Sequence, residues 1–382
     1  MPLSPRFWIA NRVTVRLVDL AFRAVSADVL NATARNRFLY GGIGAPQLGA
    51  TLKRVRGVAG WPLAWAETGR DYLQAARAAE RRGERLLGAE LRAAAALCYH
   101  FGQLFELQDI ARKRDLYGRA AALFRQAAPL LRPAIEPVEI PWRDLSLPAY
   151  LRCPEGDAGP YPLVVLLNGA STVKEETTRW SRPLLKRGFA TLALDTPGSG
   201  EAWDRVLGRP GQEDIADALL AFGEAHPALD ARRVAVLGIS LRGALAVQMA
   251  AHDERLAAAI SVTAPFHPAT YFRHLSELVT GEIAHLTGAE SGELSTLVAR
   301  MSLVDVAPRL RSPLLVIGAG NDLVVPPRES LRLYQAAGGP KRLHFIPKAN
   351  HVAFSHMEEW LAVAGSWLGE VFAQRGRPAL PA

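Results

Sequence analysis

The chain has 382 residues, 49% of them hydrophobic and 21% charged, with a formal net charge of +8. That length holds one large domain or two ordinary ones with a sizeable buried core, and no apolar run reaches the roughly 18 residues that a membrane-spanning helix needs. Two cysteines, Cys98 and Cys153, give neither a disulfide framework nor a metal pattern, which fits a reducing cytoplasm, the expected location.

The first stretch, "MPLSPRFWIANRVTVRLVDLAFRAV", is apolar and basic like a targeting segment. Arg12 and Arg16 interrupt it and no small-residue cleavage site stands out, so it reads as an amphipathic helix. Residues 1–132 carry 21 Lys+Arg against 10 Asp+Glu, and the remainder 24 against 27. A basic front half could steer an anionic partner. Its arginines are spaced along helices, however, as in "ARAAERRGERLLGAELRAAA", and read as a solvated face. No zinc-finger spacing or aromatic-interleaved basic motif points to nucleic acid.

Residues 1–132 read as helical throughout. "DYLQAARAAERRGERLLGAELRAAAALCYHFGQLFE" and "RDLYGRAAALFRQAAPLL" place apolar residues at three- and four-residue spacing among strong helix formers. Pro133 and Pro137 end the pattern. No 34-residue period is sustained, so helical hairpins are expected rather than a repeat array.

From 133 to 382 short apolar runs alternate with helical stretches. "PLVVLLNGA" (162–170), "FATLALDTPGSG" (189–200), "RRVAVLGIS" (232–240), "LAAAISVTAP" (256–265), "SPLLVIGAGND" (312–322) and "KRLHFIPKANH" (341–351) are the expected strands. The alternation predicts an α/β domain: a mostly parallel sheet with helices on both faces, and a helical insertion over 265–308. In such sheets functional groups gather beyond the carboxyl ends of the strands.

Ser240 stands there, between "RVAVLG" and an apolar helix. A serine nucleophile needs a sharp strand-to-helix turn with small neighbours, which Gly238 and Gly243 supply, although Arg242 stands where glycine is usual. Taken alone, the stretch is a middling signal, with a helix cap as the other reading of Ser240. Asp322 and His351 follow the next suitable strands, as "GAGNDLVVPP" and "KANHVAF". Each has an ordinary reading, Asp322 as a turn residue and His351 as a surface side chain. Together they give the order serine, aspartate, histidine, in which histidine takes the serine proton and the carboxylate orients the imidazole. His356 competes for the base but reads as the first residue of a helix, and a metal pair from His351 and His356 lacks a carboxylate at ligand spacing. The oxyanion donors expected are the N–H groups of Leu241 and of Gly169 or Ala170 in "NGASTVKEE". The glycines of "DTPGSGEA" read as a structural turn, because no G-K-[ST] follows.

With "LLNGASTVKEE", "LALDTPGSGEA", "VLGISLRG", "GAGNDLVVPP" and "ANHVAF" in this order, the chain resembles the α/β-hydrolases. The helical front half and the "TVKEE" loop make it similar to the FrsA-like esterase branch, which includes the 2,6-dihydroxypseudooxynicotine hydrolases and the fungal polyketide-shortening hydrolases. The resemblance implies Ser240, Asp322 and His351 as nucleophile, acid and base, residues 1–132 as an all-helical cap, and no cofactor. Some members of the branch hydrolyse a carbon–carbon bond next to a ketone; others are esterases. Arg242 departs from the branch and implies either an altered pocket or a reshaped elbow. The pyridyl C–C hydrolases carry a pocket carboxylate after the strand matching "AAISV"; here that stretch offers His267, Tyr271 and His274, and no carboxylate before Glu277. With Arg242, these three are the candidate substrate contacts, cap-helix packing being the other reading of the three.

The expected function is therefore serine hydrolysis of a carbonyl substrate that is aromatic or polyketide-like, with C–C cleavage slightly ahead of ester cleavage. Thioester hydrolysis, acyl transfer, cyclisation and a non-catalytic ligand-binding role are the alternatives. The expected partner is a small-molecule substrate, with no nucleic acid and no membrane; a homodimer is allowed.

Overall fold

The computed structural model describes residues 3–12, 14–30, 32–106, 109–156, 159–203, 211–289 and 292–375. They form two compact units. One comprises Trp8–Pro137 and Leu275–Ile283; the other comprises the segment ending at Phe7, Val138–His274 and the chain from Ala284. The expected division at 132/133 falls instead at 137/138, and two further segments change side. The Phe7 ring stands edge-on to Tyr271, with centroids 6.3 Å apart, which ties the first residues to the sheet unit. Part of the 265–308 insertion goes to the helical unit, where Glu282 pairs with Lys113 at 2.9 Å and the Ser276 N–H donates to Asn11.

The helical unit is built on Trp61–Arg81, Arg85–Gly102 and Ile110–Ala127. Gly83, at φ 81°, makes the turn between the first two, and the Asp109 carboxylate caps the third by accepting from the Arg112 N–H at 2.9 Å. The first two meet in an aromatic cluster of Trp61, Trp65 and Phe101 with Phe38 of the helix Ala32–Tyr40, and the third packs Leu116 and Ala120 against Tyr99. The Trp61 indole N–H donates to the Phe101 carbonyl at 2.8 Å, so the ring is buried without a stranded donor.

The other unit holds an eight-stranded sheet: β1 (Glu136–Trp142), β2 (Leu145–Arg152), β3 (Tyr161–Leu167), β4 (Ala190–Leu194), β5 (Leu229–Ile239), β6 (Ala258–Val262), β7 (Leu314–Ala319) and β8 (Lys341–Ile346). The order is β1-β2-β4-β3-β5-β6-β7-β8; β2 runs antiparallel to β4, and β4 through β8 are parallel. Every residue of β3, β4, β6 and β7 is buried, because helices cover both faces. The six expected strands are β3 to β8. Strands β1 and β2 were not expected. They contain Pro137, Pro141 and Pro148, which remove ladder donors and blur the strand pattern.

Candidate active site

Strand β5 lies inside the sheet, between β3 and β6, and ends one residue before Ser240. Ser240 takes φ 51° and ψ −125°, a conformation costly for a residue with a side chain, and the helix Leu241–His252 starts immediately after it. Close packing holds this turn. A Cβ on Gly238 would collide with the Arg242 carbonyl, and one on Gly243 would come within 3.0 Å of Ala264. The Ser240 N–H is anchored to the Val262 carbonyl of β6 at 2.8 Å. Gly243 thus provides the close helix–sheet approach, and Arg242 is accommodated with the elbow intact.

Asp322 and His351 come from the loops after β7 and β8, which are laced together. The Gly320 N–H donates to the Ile346 carbonyl at 2.9 Å and the Asn321 N–H to the Ala349 carbonyl at 2.8 Å. His351 Nδ1 is 2.8 Å from Asp322 Oδ2, and its Nε2 is 2.9 Å from Ser240 Oγ. The other carboxylate oxygen of Asp322 accepts from the Val324 and Val325 N–H groups, each at 2.8 Å. Those bonds fix the buried acid. Val352 and Ala353, directly after His351, take φ 61° and 50°, and the Val352 N–H donates to Thr263, itself at φ 46°. Strain concentrated around one side-chain relay marks a functional centre. His356 precedes the helix Met357–Arg375 and meets its neighbour Ser355 at 2.9 Å.

The loop after β3 has one amide occupied. The Gly169 N–H donates to Thr172 Oγ1 at 2.5 Å, which removes Gly169 as a donor to substrate. Among the described residues no acceptor takes the N–H of Ala170 or of Leu241. A buried ion cluster, not foreseen from the sequence, fixes this loop to the one after β4. Lys174 Nζ meets Glu175, Asp195 and Glu201 at 2.8, 2.9 and 2.6 Å. Asp195 also accepts from the Lys174 and Glu201 backbone N–H groups and from Asn168 Nδ2. Burial pushes the Asp195 carboxyl up; the Lys174 ammonium opposes that shift. The available signal was the run of charge in "TVKEE", in the loop that follows the apolar strand β3.

Arg242 is 4% exposed. Its Nε donates to Thr196 Oγ1 at 2.8 Å and its Nη2 to the Pro197 carbonyl at 3.0 Å, and burial lowers the guanidinium to about 10. It lines a cavity of about 670 Å³ with Leu241, Leu245, Gln248, Arg300 and Met301. His267, Tyr271 and His274 do not line it. His267 instead meets Ser302 at 3.1 Å and its N–H donates to Glu329. Tyr271 is buried beside Phe7, and burial above all pushes its phenol well up. Arg273 Nε donates to His274 at 3.0 Å. Among the described residues no group of three or more His, Cys, Asp or Glu could hold a metal ion, and no helix is long and apolar enough to cross a membrane.

The strand order, with its strained serine between β5 and the following helix, is that of an α/β-hydrolase. The model of the prolyl oligopeptidase family matches residues 176–375, and the chain belongs to that family. It is 35% identical over 199 residues to the 2,6-dihydropseudooxynicotine hydrolase of Paenarthrobacter nicotinovorans, covering 52% of this chain and 53% of that one. It is 30% identical over 215 residues to the α/β hydrolase pydG of Acremonium sp, covering 53% and 50%. In these comparisons the chain spans about half the length of the curated relatives it matches. The crystal structure of the 2,6-dihydroxy-pseudo-oxynicotine hydrolase superposes with a TM-score of 0.81 at 26% identity, over 91% of this chain and 98% of that one. AbyA5 shares the fold, with a TM-score of 0.66 at 19% identity over 90% and 95%.

Proposed function

We propose that the chain is a serine hydrolase acting on a carbonyl compound with Ser240 as nucleophile. The observation that carries this reading is the continuous relay from Asp322 through His351 to Ser240, with contacts of 2.8 and 2.9 Å. His351 Nε2 takes the hydroxyl proton as Ser240 Oγ bonds to the carbonyl carbon, and Asp322 stabilises the imidazolium. The N–H groups of Leu241 and Ala170 receive the oxyanion. His351 then returns its proton to the departing group. Water, deprotonated by the same imidazole, attacks the acyl-serine and releases the acid.

The reaction favoured is hydrolysis of a C–C bond next to a ketone in an aromatic or polyketide-like molecule. The likeness along nearly the full chain to the 2,6-dihydroxy-pseudo-oxynicotine hydrolase supports it. A β-diketone cleaved between its carbonyls leaves an enolate, so carbon can depart and accept the proton of His351 with the same machinery that cleaves an ester. Product analysis by mass spectrometry on an aryl β-diketone and its matched ester tests this. Cleavage of both, with the ketone and the acid as diketone products, supports C–C hydrolysis. Ester cleavage with an untouched diketone leaves an esterase.

A further inference from the structure

We infer that the cavity beside the elbow helix is a binding site for an organic carboxylate with an apolar body, and that Arg242 is the residue that recognises it. A guanidinium carries five N–H donors. Arg242 uses one on Nε and one on Nη2, both toward neutral oxygens, and the remaining three find no acceptor among the described residues. None of the described carboxylates pairs with it. A buried cation without a counter-ion is unfavourable. This one also lies in the first turn of the helix Leu241–His252, where the helix dipole favours negative charge. An anion in the cavity would offset both penalties.

The rest of the lining agrees in sign and character. Arg300 and Arg309 add two cations without ion pairs among the described residues, and Glu213 is the one carboxylate among the described lining residues. Leu241, Leu245, Leu286, Leu297 and Met301 supply apolar surface. A volume of about 670 Å³ suits a ligand of substrate or metabolite size. The planar guanidinium edge matches a carboxylate, which two of its N–H groups can hold side by side. Neither Ser240 nor His351 lines the cavity, so binding there can be measured without turnover.

The test is titration calorimetry on the full chain carrying Ser240→Ala, with phenylbutyrate and its neutral amide as probes. The acid is expected to bind about tenfold or more tightly than the amide, the effect of one charge-assisted hydrogen bond, and Arg242→Gln to erase that preference. Equal binding of the two probes overturns the proposal. So does absence of binding at millimolar concentration, or a preference that survives Arg242→Gln in a protein with native circular dichroism. If Arg242→Gln does not fold, the exposed pair Arg300→Ala and Arg309→Ala decides: weaker, less salt-sensitive binding of the acid supports the site, and unchanged binding overturns it. Inhibition of ester turnover by phenylbutyrate in the unmutated protein then separates the two sources of the carboxylate. Competitive inhibition makes it a part of the substrate, and non-competitive inhibition a separate molecule. Because binding is read without turnover, the result does not depend on the catalytic roles proposed above.

Discussion

Arg242 Nε lies 2.8 Å from Thr196 Oγ1, and this bond joins the first turn of the elbow helix to the loop after β4. Both residues are buried. The arginine at a position where glycine is usual therefore leaves the elbow unaltered and directs its side chain along the flank of the helix. Thr196→Val keeps the volume and removes the acceptor, stranding a buried charged donor. The expected loss of stability is about 2 kcal/mol, read as a lower urea midpoint at unchanged slope. A midpoint equal to that of the parent protein would show that the bond contributes nothing.

Lys174→Met should be among the most damaging single substitutions outside the site. The ammonium sits among three carboxylates, and Glu175 and Asp195 are fully buried. Removing the cation while leaving the acids costs about 3 kcal/mol or more. Chemical denaturation measures it. Double substitution with Asp195→Asn should recover part of the loss, since it removes one of the stranded charges.

The parallel core of the sheet was legible because strands buried on both faces read as unbroken apolar runs, and Ser240, Asp322 and His351 could be found as the polar residues just past three of them. Strands β1 and β2 were hidden by Pro137, Pro141 and Pro148. Segment 275–283 could not be placed by local pattern, since the ties of Glu282 to Lys113 and of Ser276 to Asn11 span long stretches of chain. That the Gly169 N–H is occupied and the Ala170 N–H is not could not be read from the sequence, because it depends on the Thr172 hydroxyl, whose direction no spacing rule predicts. The destination of the Arg242 side chain was equally out of reach, because it depends on the loop 46 residues earlier in the chain that brings Thr196 beside it.

Strain at the elbow makes a separate prediction. Ser240 holds φ 51° and ψ −125°, which glycine adopts without a Cβ penalty. Ser240→Gly should be inactive yet about 1 kcal/mol more stable than the parent, seen as a raised thermal midpoint. A destabilised Ser240→Gly protein would mean that the hydroxyl contacts outweigh the backbone cost.

The two histidines of the last loop should behave differently. His351→Ala removes the group that bridges Ser240 and Asp322, and kcat should fall by several orders of magnitude, on the order of 10⁴ or more. His356→Ala loses a bond to the adjacent Ser355 and should retain activity within a few-fold. Steady-state kinetics on any ester the enzyme turns over distinguishes them, and a dead His356→Ala with an active His351→Ala would reverse the assignment of the base.

The most direct test of the central claim is labelling by a fluorophosphonate, which reacts only with a serine made nucleophilic by its base, followed by peptide mass spectrometry. One adduct is expected, on Ser240, formed rapidly in the unmutated protein and lost in His351→Ala. An unlabelled Ser240 in folded protein, or an adduct on a different serine, would contradict it.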